Sequence, residues 1–287
     1  MRFGVIPPYG IGPVEEPEFA GAFARLVEAC GFESLWVVEH VVMAVDYRSV
    51  YPYDPSGRSP FTAEVAQPDP LVWLSYVAAA TKRVRLATGV LILPQRNPLI
   101  LAKELASLDR LSGGRVELGI GVGWVREEAE ALGVSFEDRG RRADEYVAVM
   151  RTLWREPVAS FAGELVRFEG VVSRPAPVQP GGPPIVVGGH TRAAARRAGR
   201  LGDGFFPLGV TMERLAELRA EMGAAAAAHG RDPGAIALTC LGTPDLACAE
   251  RYAAAGVSRM VIAALEPGLG QLRATFERFR RDVIERM

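Results

Sequence analysis

The sequence predicts an α/β fold, a single (β/α)8 TIM barrel with insertions, on three observations. Short β-branched runs recur along the whole length, each bounded by Gly or Pro and followed by a segment of helical period. Eight such units in a chain of 287 residues suit a closed parallel barrel, which commonly fills this length as one domain. Runs such as Leu35-Trp36-Val37-Val38 and Ile185-Val186-Val187 are continuously apolar, as expected of strands buried on both faces.

In chain order, strands are expected at Phe3 to Ile6, Ser34 to Val38, Arg85 to Val90, Arg115 to Ile120, Ile185 to Gly188, Gly204 to Pro207, Ala235 to Leu241 and Met260 to Ala263. The intervening helices carry one apolar face; Ala143, Tyr146, Met150 and Leu153, at spacings of three and four, are an example. Two segments break the rhythm. Residues 39–68, far longer than the usual connection of about 2 to 6 and rich in Tyr47, Tyr51, Tyr53 and Phe61, read as a lid. Phe161 to Phe168 reads as a hairpin inside an insertion over 158–183, on the face away from chemistry because loops entering a strand open at the bottom of a barrel. Ala224 to Ala228 is plain helix. The expected organisation is one domain over 1–287 bearing these two insertions.

With 33 basic and 34 acidic residues, and a pI near 6.4, the chain has no net field to steer it to nucleic acid or an anionic membrane. A small molecule is the expected partner. Cys30, Cys240 and Cys248 are widely spaced in apolar runs and read as reduced core thiols, with no metal site. The chain begins on a strand, without a basic region and apolar stretch, and no apolar run approaches the roughly 20 residues of a membrane span, so a cytoplasmic location is expected.

Chemistry in a barrel sits at the C-terminal ends of the strands. After strand two come Glu39 and His40, an acid and an imidazole. Strand four ends in Gly119-Ile120-Gly121-Val122-Gly123-Trp124, followed by Arg126, Glu127 and Glu128; the alternating glycines serve either close approach of a ligand ring or packing. The run fails the dinucleotide fingerprint, because its third glycine comes one residue early and Trp124 takes the sixth position. Phosphate-loop, zinc-protease and serine-hydrolase motifs are absent. After strand five, Gly188-Gly189-His190-Thr191 opens a helix whose free N–H groups suit a phosphate, with Thr191 also fit to cap it. Leu208 and Gly209 after strand six close the other side of that pocket.

At these residues the chain resembles the luciferase-like flavin and deazaflavin oxidoreductases. The resemblance runs through Glu39-His40, Ala87-Thr88-Gly89-Val90, Asn97-Pro98, Leu108-Asp109-Arg110-Leu111-Ser112-Gly113-Gly114-Arg115 and the glycine strand, then Pro183 to Gly189 and Ala198 to Gly204. It implies a barrel, commonly a homodimer, that holds coenzyme F420 or, alternatively, FMN, with the phosphate at the loop after strand five. Glu39-His40 and Gly-Gly-x-Thr look more like the F420 branch. The resemblance further implies a cis peptide at Gly89–Val90 backing the cofactor ring. In similar deazaflavin sugar-phosphate dehydrogenases a Glu follows the glycine strand; here Trp124 stands there and Glu127 three residues later, which argues against a sugar-phosphate substrate. The implied roles are His40 as proton donor or acceptor, Trp124 as a wall for the ring, and Glu127 or Glu39 as the group positioning His40 or a polar group of the cofactor. The reading is hydride transfer between F420 and a small, largely apolar organic substrate; an FMN monooxygenase, and a cofactor-binding protein without catalysis, are the alternatives.

Overall fold

The computed structural model describes residues 1–287. Eight parallel strands close on themselves: β1 (Arg2–Ile6), β2 (Ser34–Val37), β3 (Arg85–Thr88), β4 (Val116–Gly121), β5 (Ile185–Gly188), β6 (Gly204–Phe206), β7 (Ala237–Leu241) and β8 (Arg259–Ala263). Each pairs with its successor, and β8 returns to β1 with Arg2 opposite Arg259 and Ile6 opposite Ala263. The helices lie outside: α1 (Pro17–Ala29), α2 (Pro70–Ala80), α3 (Pro98–Ser112), α4 (Arg126–Ala131), α5 (Arg139–Arg155), α6 (Arg192–Leu201), α7 (Met212–Ala228), α8 (Leu246–Ala254) and α9 (Leu269–Asp282). None is long and apolar enough to cross a membrane. The three cysteines are free and buried.

All eight expected strands form, and the differences at their ends have local causes. β6 stops before Pro207, which has no N–H for the ladder. β7 begins at Ala237 because Pro233–Ala235 winds a 3-10 turn capped by Asp232. β3 ends at Thr88 and resumes as a short pair, Leu91–Ile92, beside β4, with the cis peptide Gly89–Val90 between the two pieces. The hairpin, Ala159–Ala162 with Arg167–Val171, packs on the flank of α5, where Glu145 accepts from the N–H groups of Leu165 at 2.8 Å and Val166 at 2.7 Å. Residues 39–68 contain no helix or strand.

One large apolar core lies between strands and helices, and a small cluster of Trp36, Ala87, Val186, Phe206 and Val261 fills the barrel interior. Below that cluster the interior is ionic. Arg259, 1% exposed, donates to both oxygens of Glu117 at 2.7 and 2.9 Å and to both of Glu33 at 2.9 and 3.0 Å. Arg85 reaches Glu117 from β3 at 3.2 Å. Burial works against both Arg259 and Glu33, yet the Arg259 guanidinium ends above its ordinary value, held by Glu117 and Glu33, and the Glu33 carboxyl ends below, held by Arg259.

Arg259→Met leaves Glu117 buried with only Arg85 beside it. It is expected to destabilise the fold by about 3–5 kcal/mol, the range for breaking a buried pair from one side. A urea midpoint within error of the unaltered protein would show that the barrel does not need this contact.

Candidate active site

Glu39 is buried at the end of β2 and occupied with holding the fold. Its Oε2 accepts from Ile92 N–H at 2.6 Å, and its Oε1 accepts from Arg96, which also donates to Asp69 at 2.6 Å. Asp69 in turn caps α2. Burial pushes the Glu39 carboxyl up, against the pull of Arg96 and the Ile92 N–H. Glu39 therefore pins the segment after β3 to the start of α2, and it does not position His40 as the sequence reading allowed.

Positioning His40 falls to Glu128, not to Glu127. His40 Nδ1 lies 3.0 Å from Glu128 Oε2, while Glu128 Oε1 accepts from the N–H groups of Val41 at 2.7 Å and Val42 at 3.4 Å. Glu127 instead accepts from Arg48 N–H and from the Ser49 hydroxyl, both at 2.7 Å. Successive helical residues point about 100° apart, so the two carboxylates serve different stretches of the lid. The sequence carried a signal for the right one: Glu128 falls on the buried stripe with Val125 and Ala129, and a charge on an apolar stripe is the informative anomaly. Two hydrogen bonds from the lid hold the Glu127 carboxyl down at about 2. Ser49 also accepts from Arg126 N–H at 2.9 Å, capping α4, whose own N-cap residue, Val125, offers no side-chain bond.

Trp124 joins the lid to the rim. Its ring stands edge-to-face with His40 at 5.8 Å, with Tyr47 at 5.3 Å and with Tyr51 at 5.1 Å between centroids. Tyr51 meets Tyr53 at 5.3 Å, and Tyr53 meets His190 at 4.9 Å. This aromatic chain spans the mouth from the end of β2 to the end of β5, so His40, Trp124 and His190 share one site. Burial raises the Tyr53 hydroxyl to about 12, and burial, then Arg214, lowers His190.

The alternating glycines of β4 serve packing. A Cβ on Gly119 would lie 1.8 Å from the Thr88 carbonyl oxygen; one on Gly121, or on Gly188 across the ladder, would lie 2.6 or 2.5 Å from a Val90 methyl. Val90 thus sits in a notch of two glycines at the floor of the mouth. Beyond Gly188, Gly189 has φ +117° and donates to Phe206 O at 3.2 Å, and Thr191 caps α6 by accepting from Ala194 N–H at 3.1 Å. The N–H groups of Arg192 and Ala193 precede any carbonyl the helix can offer them. Gly209, after β6, lies beside Tyr53: a Cβ there would be 3.5 Å from Cδ1, so Leu208-Gly209 faces the same loop. One polar group went unremarked in the sequence: Gln95, in the turn after Ile92, has its Oε1 buried without a hydrogen-bond partner.

The luciferase-like monooxygenase family model matches residues 1–282. An uncharacterized protein of Mycobacterium tuberculosis (strain ATCC 25618 / H37Rv) is 35% identical over 84% of this chain and 85% of its own. An FMNH(2)-dependent dimethylsulfone monooxygenase of Pseudomonas putida is 32% identical over 53% of this chain and 42% of its own. Among solved structures, an F420-dependent secondary alcohol dehydrogenase in complex with an F420-acetone adduct has the same fold, with TM-score 0.79 at 18% identity over 99% of this chain and 98% of that one.

Glu127→Ala removes the lid's tether at Arg48 and Ser49. Hydrogen exchange of residues 41–58 is expected to rise at least about tenfold while the β4 amides stay protected. Because the folded carboxyl is depressed to about 2, its tether is complete above the ordinary value of 4.5 and is lost as pH falls from there through about 2. Equal lid exchange in the variant, or a lid that loosens instead toward alkaline pH, would refute the tether.

Proposed function

The chain belongs to the luciferase-like monooxygenase family, whose members are flavin or F420 oxidoreductases and monooxygenases, and on that premise we propose hydride transfer between coenzyme F420 and a small, largely apolar organic substrate. The observation that carries this reading is the His40–Glu128 pair at the mouth. With Nδ1 committed to Glu128, the neutral imidazole carries its proton there and presents the Nε2 lone pair; protonated, it presents an Nε2–H donor. His40 can therefore take or give the proton that accompanies a hydride when an alcohol and a carbonyl interconvert. The cofactor, when bound, supplies the two-electron chemistry.

The residues present fit a phosphorylated ring cofactor. Gly189, at φ +117°, turns the chain from β5 into α6, whose first-turn N–H groups have no helical carbonyl to meet, and His190, Thr191, Leu208 and Gly209 border them. Val90 offers an apolar floor for a ring, and Trp124 with the lid tyrosines offers walls that exclude water. The preference for F420 rests on the resemblance at Glu39-His40 and the Gly-Gly-x-Thr loop. A second reading, an FMN monooxygenase, is favoured by the 32% identity to the P. putida enzyme.

We also propose a homodimer through α2. That helix is apolar on nearly every side, and Val72 (68% exposed) and Tyr76 (52%), one turn apart, leave a bare face on it, while Ile100 (60%) stands exposed on the neighbouring α3. Light scattering on a Tyr76→Glu variant is expected to report a monomer where the unaltered chain is dimeric; a monomeric unaltered chain ends this proposal.

Titration with F420 and with FMN tests the cofactor. F420 is expected to bind at least about tenfold more tightly, a difference of about 1.4 kcal/mol; the reverse order selects the monooxygenase reading, and binding of neither removes both. His40→Ala is expected to lower turnover by about 10²-fold or more at unchanged cofactor affinity. Full activity in that variant makes His40 a bystander.

A further inference from the structure

Gln95 closes the 3-10 turn Leu93–Gln95, and three residues per turn stack it over Ile92. Ile92 is in register with Gly121, the glycine that receives Val90 inside the barrel, whereas Leu91 and Leu93 belong to the core between strands and helices. Ile92, and Gln95 above it, therefore face the mouth. A Cβ on Gly123 would lie 3.0 Å from Ile92 Cγ2 and 3.9 Å from Gln95 Nε2, which puts the amide over the end of β4, one residue before Trp124. There its Oε1 is buried and accepts nothing from the chain. Most buried polar atoms in native proteins have partners, and this carbonyl is left free to accept from a donor outside the chain.

We propose that Gln95 reads the pyrimidine edge of the flavin-type ring, with the ring N3–H donating to Oε1 and Nε2 donating to the neighbouring ring carbonyl. The inference rests on the cofactor reading above. Flavin and deazaflavin share this edge, one N–H flanked by two carbonyl oxygens, and a primary amide presents the complementary acceptor and donor side by side. Main-chain recognition at this point is closed off, because the Ile92 N–H is committed to Glu39. Gln95 follows Val90, the floor on which the ring would lie, by five residues of the same segment. Its reach is thus toward one edge of a ring resting there.

The test is a fluorescence titration of the full chain with riboflavin 5′-phosphate and 5-deazariboflavin 5′-phosphate, each compared with its N3-methyl derivative. Methylation removes the N–H and is expected to weaken binding to the unaltered chain about tenfold, as expected for one buried hydrogen bond lost. Gln95→Leu should bind the parent about tenfold more weakly and distinguish it from the methylated ring by less than about twofold. Should the Leu variant not fold, Gln95→Asn, which withdraws the same amide by one methylene, is expected to shrink the methylation effect. Equal binding of parent and methylated rings by the unaltered chain overturns the role of Gln95 and leaves the cofactor reading intact, as does a full methylation effect in the folded variant. Failure of both parent compounds to bind overturns the cofactor reading and this inference with it.

Discussion

One guanidinium, Arg259, held by two bidentate carboxylates, sets the layering of the barrel interior. A ring of eight strands encloses a volume that side chains must fill, and here the lower part is filled by charge: Glu117 from β4, Glu33 before β2 and Arg85 from β3. Charges that deep are tolerated only when every one is matched, and the matching fixes which residues of four strands meet. Above it, Trp36, Ala87, Val186, Phe206 and Val261 form an apolar layer, and the Arg259 guanidinium lies 5.1 Å from the Trp36 ring. The next positions up are glycines, which leave room for Thr88 and Val90 to turn inward. The floor of the mouth is thus the top of a stack that begins with an ion pair.

The barrel was legible in the sequence because period and punctuation survive packing: apolar runs bounded by Gly and Pro became strands, and stripes at spacings of three and four became helices. The motifs carrying the family resemblance proved equally physical. Asn97 caps α3, Asp109 accepts from Val178 and Gln179 to hold the Pro-rich segment, and Asp203 accepts from Ile185 N–H to set the start of β5. Asp109 and Asp203 build the scaffold away from the mouth, and Asn97, on the mouth side, spends its side chain on capping its helix. They speak for the fold and say little about the substrate.

The site was legible only in part, because contact across the mouth is not periodic. His40, Trp124 and the Gly188–Thr191 loop follow strand ends, and topology brings strand ends together. Which carboxylate reaches which group depends on the phase of a six-residue helix that begins after an irregular turn, so counting from the glycine run chose Glu127, whereas the buried stripe chooses Glu128. Glu39, the third candidate, was drawn away by Arg96, fifty-seven positions along the chain, a pairing no local pattern encodes. Gln95 escaped notice for the same reason: a glutamine in a turn is unremarkable until its carbonyl is found buried without a donor.

Helix α4 and the lid depend on each other. Six residues are too few for a helix to stand on its own propensity, since nucleation costs more than one turn of hydrogen bonds returns. Its cap is Ser49, which belongs to the lid; the lid in turn has no regular structure and is held by Glu127 and Glu128, which belong to the helix. Each element supplies the polar partners that the other's main chain lacks. Because Glu128 also holds His40, the imidazole at the mouth is oriented by the same short helix that Ser49 of the lid caps. Lid, helix and histidine therefore form one hydrogen-bonded unit, and the imidazole takes its orientation from contacts that all three share.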